Sequence, residues 1–176
     1  MTTPEFSVRT LTYDDCDQLA ALRAEAEINN PGMFASTYEK LTQNTPDDWR
    51  SHLSGGNKCV FGLCTEQKII GVTGVFTWKD DPDQATGIVA TVYISPAYRG
   101  LKLSDMLHRA CIVWAMGYRP WRRIVASHRA DNLDSGRAIE RQGFTFSHRK
   151  PHTWSDGVTS DEVWYELDLE KWRNKL

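Results

Sequence analysis

The chain has 176 residues, 40% of them hydrophobic and 25% charged, which is the size and composition of one globular domain with a real core (residues 1–176). Its net charge is −2 and no long Lys or Arg run occurs, so nucleic acid is not expected as an obligatory partner. No apolar stretch approaches the roughly 20 residues that span a bilayer, and the first residues carry neither a basic region nor an apolar core, so the protein is read as cytoplasmic, without a membrane partner.

In chain order, residues 6–11 alternate apolar and polar and predict a strand. Thr12 is placed to cap a helix with Asp14, Asp15 and Asp17 in its first turns, and Cys16, Leu19, Ala20, Arg23 and Ala26 share one face, with Leu22 beside it. Asn29-Asn30-Pro31-Gly32 ends that helix. Thr45-Pro46-Asp47-Asp48-Trp49 starts a second one, with a cap, Pro at the first position and an acidic first turn; Gly55-Gly56 stops it. Residues 58–64 and 69–78 read as a hairpin about Thr65-Glu66-Gln67-Lys68. After an acidic loop, residues 87–95 form a strand rich in Val, Ile and Thr.

Leu103, Met106, Leu107, Ala110, Cys111 and Trp114 then follow helical spacing up to Gly117. Residues 123–127 are a short buried strand. Asp131 or Asn132 caps a short helix that Gly143 terminates. Residues 144–153 and 160–167 form a last hairpin about Ser155-Asp156-Gly157, and the tail from residue 168 forms a short helix. These elements make an α/β domain whose mixed, mostly antiparallel sheet carries helices on both faces. The four cysteines lack metal or disulfide spacing and read as reduced, mostly buried thiols; the five histidines are scattered, and no metal site is expected.

One segment has chemistry written into its order. A strand stops at Pro96, a short loop Arg99-Gly100-Leu101-Lys102-Leu103-Ser104 follows, and a helix begins. That order aims free backbone N–H groups and the positive end of a helix dipole at one spot, which suits a phosphate. It resembles the acyl-CoA loop of the GNAT acetyltransferase superfamily, an Arg/Gln-x-x-Gly-x-Gly/Ala loop that wraps the coenzyme pyrophosphate. Arg99 matches; Lys102 stands where Gly is usual and Ser104 where Gly or Ala is usual. A second stretch, Asn132-Leu133-Asp134-Ser135 leading to Gln142-Gly143-Phe144, is similar to the family's later Asn-x-x-Ser/Ala segment and its helix ending in Gly-Phe, in the family's order.

The resemblance implies a twisted sheet of six to seven strands and an acetyl-CoA-dependent N-acetyltransferase acting on a primary amine, either a small molecule or a peptide N-terminus. The family also allows a homodimer. It implies that the backbone of Val92, Tyr93 and Ile94 orients the pantetheine arm, that residues 99–104 hold the pyrophosphate, and that Asn132 contacts the arm. A useful affinity near 1 μM needs about 8 kcal/mol net. A left-handed backbone at Lys102 costs roughly 1–2 kcal/mol against that total, so Lys102 does not exclude the cofactor. Plain solvated charge is the alternative for Arg99 and Lys102, and an N-cap is the alternative, or an addition, for Asn132. Ser135 is either a hydroxyl that protonates the leaving thiolate or a helix-surface serine.

Two familiar groups are missing. The Tyr that often acts as general acid is replaced by Ile139, and residues 86–94 contain no carboxylate to serve as base. Base candidates from elsewhere are Glu25, Glu27, His128, Asp161 and Glu162, with a structural, hydrogen-bonded histidine as the alternative for His128. A lysine-like amine with pKa about 10.4 is neutral in only about one molecule in 2,500 at pH 7, whereas an α-amine with pKa near 8 is neutral in roughly one in ten. A site with no strong base therefore favours the α-amine. The acceptor is expected between the loop after the first helix and the last hairpin turn, walled by Phe34, Tyr38, Trp154 and Trp78. Cys111 falls on a packed helix face, so attack is expected to be direct, in a ternary complex, with no acyl-enzyme. A coenzyme A-binding sensor without turnover is the rival reading.

Overall fold

The computed structural model describes residues 5–34, 40, 43–53, 55–66 and 68–174. Strand β1 (Ser7–Thr10) leads through a 3-10 turn (Tyr13–Asp15) into helix α1 (Cys16–Asn29); α2 (Pro46–Leu53) follows. Strands β2 (Lys58–Cys64), β3 (Ile69–Thr77) and β4 (Thr86–Ile94) come next. A second 3-10 turn (Pro96–Tyr98) precedes α3 (Ser104–Gly117), and β5 (Arg123–Arg129), α4 (Leu133–Arg141), β6 (Thr145–Thr153), β7 (Thr159–Asp168) and α5 (Leu169–Arg173) complete the order.

The strands form one seven-stranded sheet in the order β1-β2-β3-β4-β5-β7-β6. Every neighbouring pair is antiparallel except β4 and β5, which are parallel. The expected α/β class, strand number and mixed sheet are all found. One face carries α3, α4 and α5 on a core of residues such as Val75, Val89, Leu107, Ile112, Trp121, Ile124, Ile139 and Leu169. The other carries α1 and α2 on Leu19, Leu22, Ala26, Trp49, Val60, Val72 and Tyr93. Among the described residues no helix is long and apolar enough to cross a membrane.

The start of α1 differs in detail from the expected cap. Thr12 opens the 3-10 turn, where its N–H donates to Asp15 Oδ2 at 2.8 Å, and α1 begins only at Cys16. Asp15 is held by a two-point contact with Arg9, at 2.6 and 2.8 Å, across to β1. The C-terminal tail has a packing role that its length did not suggest. Asp168 caps α5 by accepting from the N–H groups of Glu170 and Lys171, and Arg173 then donates to the carbonyls of Ala115, Met116, Tyr118 and Trp121. It thereby satisfies carbonyls at and just beyond the end of α3. At Gly87 only glycine fits, because a Cβ would lie 2.5 Å from the fully buried Trp121 ring.

Candidate active site

A parallel pair sends both of its strands toward the same edge of the sheet, so the loops and helices that follow β4 and β5 begin side by side. Asp105 in the first turn of α3 and Arg141 in the last turn of α4 tie the two helices together, with a shortest contact of 2.7 Å. The expected cofactor loop and the Asn132–Ser135 segment, separate in sequence, thus follow two neighbouring strands and lead into two helices that are tied together.

The sheet opens there. Pairing between β4 and β5 runs from Thr86↔Arg123 to Val89↔Ala126 and stops, although β4 continues to Ile94 and β5 to Arg129. Beyond that point the facing backbone edges form a wedge. On the other side of β4 the register against β3 jumps from Gly74↔Ala90 to Val72↔Tyr93, so Thr91 and Val92 together stand opposite Thr73 in a β-bulge. Thr91 takes φ 59°, a rare conformation for a β-branched residue and one that clusters at functional sites. The bulge also changes which way later side chains point. Val92 and Ile94 pack toward α3, whereas the Tyr93 ring is buried against α1.

The loop after β4 has the expected form. Gly100 has φ 81° and Lys102 φ 56°, so the second left-handed position is occupied by lysine. Asp105 N and Met106 N turn back onto the carbonyls of Lys102 and Leu103, while the N–H groups of Gly100, Leu101, Lys102, Leu103 and Ser104 donate to no acceptor among the described residues. Leu103 is the buried anchor of the loop, and Leu101 is exposed. Arg99 is not simply solvated: its Nε donates to Ile94 O at 2.9 Å and its guanidinium lies 5.4 Å from the Tyr93 ring centre.

Across the wedge, Asn132 caps α4, its Oδ1 accepting from Ser135 N at 3.3 Å. The cap leaves the Asn132 amide N–H groups and the half-buried Ser135 hydroxyl without partners among the described residues. His128 is buried under α4, against Gly136, where a Cβ would lie 2.7 Å from its Nε2. Its Nδ1 is 2.7 Å from Arg129 O and therefore carries the proton, so Nε2 accepts from Tyr165 Oη at 3.3 Å. Both ring nitrogens are engaged within the fold.

The opposite face holds groups that the sequence pattern scattered. Ser127, the first β5 residue past the last β4 pairing, donates to Glu162 Oε1 at 2.8 Å, and Glu162 also pairs with Lys150 at 3.6 Å. Tyr93 Oη donates to Glu25 Oε1 at 2.8 Å and accepts from Asn29 at 3.2 Å; burial, reinforced by the Glu25 carboxylate, pushes this phenol up. Trp78 and Trp164 pack with centroids 5.3 Å apart, and the enclosed Trp164 indole N–H has no partner among the described residues. Phe34 meets Tyr93 edge-on, and Gly32 abuts Asp156 in the β6–β7 turn, which Arg129 grips at 2.6 Å. The loop after α1 and the last hairpin therefore do come together. Tyr38 lies outside the described residues, and Trp154 donates to Ser160 O beside His152. Cys111 is fully buried, with its thiol pushed up to about 12 by that burial, which removes it as a nucleophile at neutral pH.

A sequence profile described as the acetyltransferase (GNAT) domain matches residues 6–145. The chain belongs to the GNAT acetyltransferase family. As a GNAT enzyme it is an acetyl-CoA-dependent acyltransferase. Its fold is that of an acetyltransferase of the GNAT family from Streptococcus pneumoniae, at TM-score 0.81 and 17% identity, covering 93% of this chain and 99% of that one. The ribosomal-protein-S5-alanine acetyltransferase from Vibrio fischeri is similar at TM-score 0.79 and 17% identity, covering 98% and 97%. A candidate acetyltransferase from Salmonella typhimurium, solved with its cofactor acetyl-CoA, superposes at TM-score 0.73 and 20% identity, covering 94% of each chain. No curated protein sequence matches this GNAT chain.

Proposed function

We propose that this enzyme acetylates a primary amine by direct attack in a ternary complex, with acetyl-CoA bound in the β4–β5 wedge. The observation that carries the proposal is the run of backbone donors at Gly100–Ser104 that have no acceptor among the described residues, beside an unpaired strand edge. Free N–H groups gathered at a helix start suit a diphosphate, and an unpaired strand edge suits an amide-bearing arm. Lys102 adds charge at the phosphates, and Arg99, braced on Ile94 O, stiffens the turn. Val92, Tyr93 and Ile94 supply the strand edge that orients the arm, with the Asn132 amide opposite. Acetyl-CoA supplies the activated acetyl group.

The protons are handled by residues on the two sides of the wedge. Ser135, at the start of α4 with a hydroxyl unpartnered among the described residues, gives a proton to the departing sulfur. Ser127 and Glu162 form the relay that takes the proton from the amine, because Ser127 stands where the wedge begins and passes its own hydrogen bond to a carboxylate. His128 holds Tyr165 and α4 in position and transfers no proton in this scheme. With every cysteine thiol raised chiefly by burial, direct attack needs no acyl-enzyme.

The test is incubation of the protein with acetyl-CoA and a panel of amines, following thiol release and product mass. Amine-dependent thiol release with one added acetyl group is expected; S135A and E162Q should each lower kcat by about 10²-fold or more. Full kcat in E162Q would remove the relay, and thiol release independent of any amine would remove amine acetylation.

A further inference from the structure

Arg23 lies on α1, facing α2, and is only 6% exposed. Its guanidinium nevertheless makes no hydrogen bond or ion pair among the described residues, and its Nε is fully enclosed. One turn later Glu27 is equally buried, at 6% exposure, with its Oε1 also unpartnered. Buried charges are ordinarily paired and hydrogen-bonded, so two such groups side by side are unusual. Burial lowers the pKa of Arg23 and raises that of Glu27, each offset in part by the charge of the other.

Arg23 borders a cavity of about 360 Å³ together with Trp49, His52, Lys58, Ser51 and Asp48. The other charges there are already engaged. Asp48 accepts from the N–H and hydroxyl of Thr45 at 2.7 and 2.8 Å, and Lys58 Nζ donates to Ser51 O at 2.5 Å. His52 has its pKa lowered to about 4 by burial and by the Arg23 and Lys58 cations, so at neutral pH it is an uncharged hydrogen-bonding ring. What remains at the cavity is the Arg23 guanidinium, without an acceptor among the described residues, beside the His52 imidazole and the Asn44 side chain. The His52 ring lies 5.5 Å from Phe76, and Phe76 is opposite Ile88 of β4. The cavity is therefore on the α1/α2 face of the sheet, the face that also holds Tyr93 with Glu25.

We infer that this cavity binds a carboxylate of the acceptor, which pairs with Arg23. The amine acetylated would then belong to an amino acid or a peptide with a nearby acidic group, rather than to a plain polyamine. This rests on the amine-acetylation reading above and narrows it.

The experiment compares pairs of peptide amines that differ only as Glu against Gln, or as a free carboxylate against its amide. Wild type is expected to show a KM at least about tenfold lower for the acid member of a pair, as a charged hydrogen-bonded contact gives. In R23Q the two KM values should converge, and H52L should narrow the gap. Equal KM values in wild type, or an undiminished preference in R23Q, would overturn the site. Isothermal titration of wild type with the same peptides, without acetyl-CoA, separates the two readings and does not depend on the variants folding. Tight binding of the acid member without turnover would leave the carboxylate site standing and sink amine acetylation. Turnover of both members alike would do the reverse.

Discussion

Lys102 shows how a single residue can be strained for a purpose. Its φ of 56° is a conformation in which glycine is free and lysine is not, and the turn there leaves the N–H groups of Gly100 through Ser104 without acceptors among the described residues, as the proposed phosphate site requires. The strain is roughly 1–2 kcal/mol, comparable with what one ammonium–phosphate contact returns. K102A keeps the strain and loses the charge, whereas K102G loses both. K102G should therefore be more stable than K102A by about 1 kcal/mol in urea unfolding, while both raise the KM for acetyl-CoA by about fivefold. Equal stabilities would mean that the turn is relaxed in solution. The left-handed position could be read from the chain because every residue of the loop is contiguous. Thr91 could not: nothing in a run of Val, Ile and Thr marks where an extra residue enters a strand. That residue inverts the alternation after Val89, so Tyr93 faces α1 when simple period-two counting would send it toward α3.

At the scale of elements, two ties outside the wedge set stability without touching chemistry. The Arg9 guanidinium holds the Asp15 carboxyl down at about 2, joining β1 to the start of α1. Because the folded pKa is depressed, this contribution is fully present above the normal carboxylate pKa of about 4 and is lost as pH falls toward about 2. The difference in urea midpoint between wild type and D15N should accordingly be constant near neutrality, shrink below about pH 4 and be lost as pH falls through about 2. A gap independent of pH would rule out the charge as its cause. Arg173 is the second tie. R173A leaves α3 carbonyls unpaired and should cost about 2 kcal/mol in denaturant unfolding. It should do so with no change in the KM for acetyl-CoA, since Arg173 sits at the far end of α3 from the loop. A tail helix was legible in the sequence, but its partner carbonyls were not, because they lie more than fifty residues away.

At the scale of the whole molecule, the sheet is a scaffold split at its one parallel pair. The cofactor side proposed for that split was legible in the sequence, since a strand, a loop and a helix start are neighbours along the chain. The proposed acceptor side was legible only by region. Ser127, Glu162, Glu25 and Arg23 come from β5, β7 and α1, and only the tertiary pairing of β5 with β7 and the packing of α1 on the sheet bring them to one face. Arg23 was visible as a charged residue on an otherwise apolar helix face, a signal that could have marked it as more than surface charge. The most direct measurement is amide hydrogen exchange, read residue by residue with and without acetyl-CoA. Binding in the wedge predicts slowed exchange at Gly100 through Ser104 and along Val92 to Ile94, with β1 and β2 unchanged. Acetyl-CoA that binds while leaving those amides unprotected would contradict the site.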